Sequence, residues 1–300
     1  MARMLVAVNT ASGRGRGAAV GTRTVAALQD AGHEVRRVDP ADARAMEAVL
    51  RDAARRDRPD AVVVIGGDGP LHTAVNALAQ TGLPIGIVAT GTGNDTARCL
   101  GLPTGDPEAA VAHLVRALAD GTAPRPIDAV RVSTGRWFVG ALSAGFDARV
   151  NERANRMTHL TGTPRYIAAV LLEVLRLHAR RYRVTIDRDT RRLDAVLVTA
   201  GNAASIGGGM RLTPDARMDD GLLDVLVATP LSRLQLLLIF PRVFRGTHVN
   251  DEHVDIARGR VVTIDVDDRL PAPITYADGE RLGPLPVTLE AVPGALHVLA

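Results

Sequence analysis

An entirely apolar pentapeptide, AVVVI at residues 61–65, runs straight into Gly66-Gly67-Asp68-Gly69-Pro70. A strand with no polar alternation is covered on both faces, the habit of a parallel sheet flanked by helices. Three glycines around one carboxylate let a backbone approach a ligand closely. Pro70 suits the first position of a following helix, which the pattern extends to about Gln80. A helix that starts on such a turn offers free amides and a positive dipole end to phosphate.

The same unit recurs on either side of it. Residues 4–9 read as a buried strand, followed by the turn Ser12-Gly13-Arg14-Gly15 and a helix to Ala31 that Gly32 stops. Residues 33–38 read as a strand, 41–57 as a helix and 84–89 as a fourth strand. Asp106-Pro107-Glu108 opens another helix with a cap, a proline and an acid in the first turn, and Gly121 ends it. Strands alternating with helices at this spacing predict an α/β, doubly wound parallel sheet. Two more loops, Asn9-Thr10-Ala11-Ser12-Gly13 and Gly91-Thr92-Gly93-Asn94-Asp95, leave their strands as the first does. Ligands of such sheets bind at the carboxyl ends of the strands. Each loop alone reads equally as an ordinary turn. Three together, two with a carboxylate, describe a phosphate site with room for Mg²⁺.

Around Ala123-Pro124-Arg125-Pro126 the rhythm changes. Strand signals follow at 127–132, 136–143, 181–187, 194–202, 222–228, 260–266, 286–292 and 295–300, interrupted by helical stretches at 164–178 and 231–240. The expectation is an α/β nucleotide-binding domain over 1–125 and a β-sandwich domain over 126–300. The last strand is free to return to the first domain.

Composition narrows the class. Only 3% of the 300 residues are aromatic, which argues against stacking platforms for bases and so against nucleic acid. A single cysteine, Cys99, excludes an internal disulfide framework and points to a reducing, cytoplasmic compartment. All 36 basic residues are arginine, and a net charge of +3 permits an anionic ligand or membrane surface without demanding one. The greasiest stretch, Leu234 to Phe240, ends at Pro241, far short of the roughly 20 residues of a membrane span. With Arg233, Arg242 and Arg245 beside it, that stretch reads as a core helix with a solvated rim, or as an apolar cleft or membrane contact.

Two motifs mark the second half. Asp219, Asp220 and Asp224 crowd around Gly221, and like-charge repulsion there favours a nearby cation, unless the turn is merely solvated. Ala277-Asp278-Gly279-Glu280 is a hairpin signal.

IGGDG, GTGND, the block GGGMRLTPDARMDDGLLDV and ADGE, in this order, resemble the bacterial diacylglycerol kinase family, which is related to sphingosine kinases. SAGFDARV at 143–150 and FRGTHVNDEHV at 244–254 fit the same pattern, so the resemblance spans essentially the whole chain. It implies an ATP-dependent lipid kinase acting on a hydroxyl of diacylglycerol or a similar lipid. The ATP site would be lined by Asn9, Thr10, Ala11, Ser12, Gly13 and Arg14, by Gly66, Gly67, Asp68, Gly69, Pro70 and Thr73, and by Gly91, Thr92 and Asn94. Asp68 and Asp95 would act in catalysis by holding Mg²⁺, with Asp128 in the same network, and Glu280 would be the general base. Asp220, with the carbonyls of Arg217 and Leu222, would bind a second, structural Mg²⁺. Its partners would be a lipid substrate and peripherally the inner membrane surface, and a homodimer is left open.

The pattern also has departures. Pro70 and Thr73 stand where the family usually has a threonine and an acid, Thr10 replaces a proline, and Arg14 a frequent lysine. A proline removes one first-turn amide from the phosphate cradle. Two other readings therefore stay open: a NAD-kinase-like enzyme sharing the GGDG loop, and a non-catalytic nucleotide- or lipid-binding regulator.

Overall fold

The apolar run at 61–65 builds the strand Ala61–Gly66, every residue of which is buried. In the computed structural model, which describes residues 1–157, 159–160 and 162–300, this strand is the centre of a parallel sheet. Its neighbours are Arg3–Val8 on one side, itself paired with Glu34–Val38, and Pro84–Ala89 on the other. His297–Leu299 then adds in parallel to Pro84–Gly86. Helices Gly17–Asp30 and Pro107–Ala119 bring Val20, Leu28 and Leu114 onto Val6, Val63 and Ile65 of the sheet. Asp106 caps the second of these helices, its Oδ1 accepting from the amides of Glu108 and Ala109, with Pro107 in the first turn.

The chain divides into two compact units, Met1–Ala129 with Pro293–Ala300, and Val130–Val292. In the first, the expected helix over 41–57 is α-helical only over Ala43–Asp52, capped by Asp42. It widens to a π-turn over Ala53–Asp57 that closes on Arg58 at φ 42°. The helix after the GGDG loop begins at Asp68 rather than Pro70 and ends at Leu78. Gly67 already has extended φ/ψ and caps it, which moves Pro70 to the third helical position.

The second unit is a sandwich of two antiparallel sheets. One runs Val254–Gly259, Leu223–Ala228, Leu197–Gly201, Ala141–Gly145, Ile274–Ala277, Glu280–Pro284. The other pairs Asp189–Ala195, Arg180–Ile186 and Val261–Val266, with residues 287–290 of the long strand Val287–Leu299 at its end. Phe138, Leu142, Tyr182, Val198, Leu223 and Ile264 fill the space between them. A helix absent from the sequence reading, Phe146–Arg156, leaves Gly145 at φ 91°. With Gly162–Glu173 and Arg233–Val243 it forms a second apolar layer on the first of these sheets, around Phe146, Val150, Tyr166, Val170, Leu226 and Val243. No helix among the described residues is long and apolar enough to cross a membrane.

Candidate active site

Three loops of the first unit meet because their strands are neighbours. Gly66 accepts a bond from the Thr90 amide at 2.9 Å, and Ile65 one from the Asn9 amide at 2.9 Å. Beyond these bonds the loops are in backbone contact: a Cβ on Gly91 would stand 2.6 Å from the Cα of Gly67. No side chain fits there. Asn94, at φ 55°, clasps Gly91 from both sides, its Oδ1 accepting from the Gly91 amide at 3.0 Å and its Nδ2 donating to the Gly91 carbonyl at 2.9 Å. Asparagine tolerates that left-handed backbone better than most residues. Ser12 Oγ donates to the Asn9 carbonyl at 2.8 Å and lies 2.7 Å from Thr90 Oγ1, tying the first loop to the third. Gly13, at φ 59°, passes so close to Thr90 that a Cβ would lie 2.8 Å from its carbonyl oxygen. Thr10, Ala11 and Thr92 are exposed on the rims of these loops.

The carboxylates converge on one point. A Cβ on Gly93 would lie 2.6 Å from Asp68 Oδ2 and 3.4 Å from Asp95 Oδ2, so both acids face the space that this glycine leaves open. Asp68 Oδ1 is also 3.5 Å from the Thr96 amide. Two hard oxygen donors on one opening suit Mg²⁺. The amides of Asp68 and Gly69 start the helix, whereas Pro70 contributes a ring that packs on Gly66, a Cβ at Gly66 falling 2.6 Å from the Pro70 Cβ.

Other expected site residues are placed differently. Thr73 is buried and its Oγ1 donates to the Gly69 carbonyl at 3.2 Å, so its hydroxyl is turned into the helix. Asp128 is buried, and its Oδ1 accepts from the Gly294 amide at 3.0 Å. The side chain of Arg14 lies outside the described residues. In the second unit, Asp220 Oδ1 accepts from the Leu222 amide at 3.1 Å, while its other oxygen meets the guanidinium of Arg258. Arg258 Nε also donates to Asp224 at 2.6 Å. Arg258 thus bridges two of the crowded acids, and Arg217 turns to Asp219 at 3.1 Å.

Glu280 starts the strand after a two-residue turn in which Asp278 and Gly279 both have positive φ, 51° and 81°. The turn is clamped twice. The Asp278 carboxylate accepts from the amides of Val139 at 3.1 Å and Gly140 at 2.8 Å, and Asn155 Nδ2 donates to the Gly279 carbonyl at 3.0 Å. The Glu280 carboxylate is exposed and, among the described residues, enters no hydrogen bond or ion pair. It is a carboxylate carried on a fixed turn and open to solvent.

The second unit holds an apolar cavity of about 80 Å³ under the helices Gly162–Glu173 and Arg233–Val243, where Leu236, Ile239 and Phe240 form the apolar cleft left open for that stretch, while Asp147 was not anticipated. Phe146, Tyr166, Val170, Leu236 and Phe240 line it, and Asp147 is at its wall. Burial pushes the Asp147 carboxyl up to about 6, against hydrogen bonds from Ser143 and Asn151 that pull it down. The available signal was the acid directly after Phe146 in an otherwise apolar, small-residue stretch.

Residues 3–131 match the family description "Diacylglycerol kinase catalytic domain", and residues 140–300 match "YegS C-terminal NAD kinase beta sandwich-like domain". A protein of Mycobacterium tuberculosis named diacylglycerol kinase is 38% identical over 97% of this chain and 93% of its own length. One of Bacillus subtilis with the same name is 26% identical over 85% and 80%. A crystal structure of a diacylglycerol kinase from Bacillus anthracis covers 99% of this chain and 96% of its own, with a TM-score of 0.74 at 19% identity, which speaks for the fold.

Proposed function

We propose that this chain, which belongs to the diacylglycerol kinase family and is a lipid kinase using ATP, transfers the γ-phosphoryl group to a hydroxyl of diacylglycerol or a similar lipid. The observation that carries the reading is the convergence of Asp68 and Asp95 on the open side of Gly93, next to the backbone contact of Gly67 and Gly91. Phosphoryl transfer asks for positioning and charge neutralisation more than for covalent help. Backbone amides of Asp68 and Gly69 at the helix start meet phosphate oxygens, and the glycine contact keeps that cradle free of side chains. Asp68 and Asp95 would hold Mg²⁺, which when bound offsets the negative charge of the phosphates.

Glu280 takes the proton of the acceptor hydroxyl. The hydroxyl oxygen then forms its bond to the γ-phosphorus as the bond to the ADP oxygen breaks, and ADP leaves with the electron pair. A positioned base contributes roughly 10²- to 10⁴-fold. The apolar cavity beside Asp147 supports a lipid acceptor, since a wall of aliphatic and aromatic carbon favours an acyl chain over a sugar or nucleotide.

The test is transfer of labelled γ-phosphate from Mg·ATP to a panel of hydroxylated lipids in mixed micelles, with NAD as a further acceptor. Wild type and Glu280→Gln are run side by side. Label in one lipid that falls about 10²-fold or more in the variant is the expected result. Label on NAD would replace the lipid by a nucleotide, and ATP binding without any transfer would make the chain a regulator. Full turnover by Glu280→Gln would remove the assigned base.

A further inference from the structure

Two neighbouring side chains of the second unit carry buried donors that meet no acceptor. Tyr182 is wholly buried, and among the described residues its hydroxyl enters no hydrogen bond. On the helix Phe146–Arg156, Arg149 buries Nε and Nη2 in the same condition. Glu173 Oε2 stays 3.6 Å from Arg149 Nε, and its other oxygen is held by Arg153. Burial pushes the Tyr182 phenol up to about 12, against the pull of Arg180 and Arg149 beside it. Buried polar groups without a partner are rare in folded proteins. Here a guanidinium edge and a hydroxyl lie together, and both ask for the same thing, an acceptor.

Both border one opening of about 210 Å³. Arg149 and Gly145 line it, and a Cβ on Gly145 would stand 2.9 Å from the Tyr182 oxygen, so the phenol lies directly against the glycine wall. The local charges do not cancel: Arg149, Arg153, Arg156 and Arg180 face Glu152, Glu173 and Asp268. Arg180 is engaged by Asp268 through two bonds of 2.6 Å, and Glu152 at the wall is engaged by Arg156 at 2.7 Å. That leaves Arg149 as the cation in excess. Nε and Nη2 form the edge of a guanidinium that receives oxyanions two bonds at a time. A third donor from the tyrosine suits the several oxygens of a phosphate better than a flat carboxylate. The remaining wall at Ala148, Pro273 and Ile274 is apolar.

We propose that this opening is a second phosphate site, distinct from the glycine loops of the first unit. The Arg149 edge and the Tyr182 hydroxyl hold the phosphate of a small, soluble phosphomonoester, and the apolar wall meets its organic part. Free phosphate shares the anionic chemistry but leaves that wall unused. The inference stands independently of the kinase reading, since every residue it uses lies within Val130–Val292.

Titration calorimetry with glycerol 3-phosphate, and separately with inorganic phosphate, tests the site. Mg²⁺ and a saturating non-hydrolysable ATP analogue are present, so that the glycine loops do not compete for the probe. Wild type is expected to bind one equivalent. Arg149→Gln should weaken it about ten-fold or more, the share of a charge-assisted bond, and Tyr182→Phe several-fold. If Arg149→Gln fails to keep its thermal transition, Tyr182→Phe decides, since it removes one oxygen that no residue bonds. Without phosphate this variant should melt at or above wild type, and saturating phosphate should raise wild type more than the variant. Tighter binding of glycerol 3-phosphate assigns the organic ester as the ligand, and tighter binding of inorganic phosphate assigns the free ion. Wild type that binds neither probe overturns the proposal. So do two variants that bind as wild type does. So does a Tyr182→Phe that melts lower by the same amount with and without phosphate, the mark of a buried water serving the hydroxyl.

Discussion

Gly67 and Gly91, twenty-four residues apart just beyond the ends of neighbouring strands, are so close that a Cβ on either would lie 3.0 Å or less from the Cα of the other. Their contact brings two phosphate-type loops into one cradle. Gly91→Ala puts a methyl group 2.6 Å from backbone that cannot rotate away. Overpacking of this kind costs about 1–3 kcal/mol. Most of it should appear as a ten- to hundred-fold rise in KM for ATP, read in a steady-state assay, with an unchanged KM for the lipid.

Pro70 stands at the third position of the helix proposed to meet the phosphates and has no amide to give. A hydrogen bond to a charged group contributes roughly 1.5–3 kcal/mol. Pro70→Thr restores the donor and a hydroxyl, and titration calorimetry should show ATP binding tightened by about ten-fold or more. Unchanged affinity would show that this amide does not point at the nucleotide.

Asp278 takes two backbone amides, those of Val139 and Gly140, and thereby fixes the turn that ends in Glu280. Asp278→Ala leaves both donors without their acceptor, at about 1–3 kcal/mol each when buried. The variant should melt several degrees lower. It should also lose kcat out of proportion to KM, because Glu280, the proposed base, is no longer held. Asp278→Asn, which keeps one acceptor oxygen, should recover part of both losses.

Asp147 gives the stability a pH signature. Its carboxyl is raised from 3.8 to about 6, so the folded state binds its proton more tightly than the unfolded chain does. The associated stability is fully present below pH 3.8 and is lost as pH rises through about 6. At 1.36 kcal/mol per unit this is about 3 kcal/mol. Denaturant melts of Asp147→Asn and wild type should therefore diverge with pH over that window, the variant gaining on wild type as pH rises. Parallel curves would mean that the cavity wall is wetter than its lining suggests.

Much of this molecule is written locally. The alternation of apolar strands with glycine loops is visible because parallel strands need both faces apolar and their turns need residues without a Cβ. Asp106-Pro107 and Asp278-Gly279 were legible for the same reason: a cap and a hairpin turn depend on two or three adjacent side chains and their own φ values. The helix Phe146–Arg156 was not, because its three arginines and two asparagines give little apolar periodicity, and its place is set by Phe146, Val150 and Ala154 packing on the sheet.

The sequence by itself determined the α/β order of the first unit, the β-rich second half, the three glycine loops and the acids upon them. Only the tertiary structure decided that Asp68 and Asp95 face one opening at Gly93, that Thr73 spends its hydroxyl on Gly69, and that Arg258 bridges Asp220 and Asp224. It also separated Leu236, which lines a cavity, from Leu234 and Leu238, which face out. Turn chemistry and periodicity act over a few residues and can be read along the chain. Which carboxylate meets which cation, and which leucine finds a neighbour, depends on residues tens of positions away that only packing brings together.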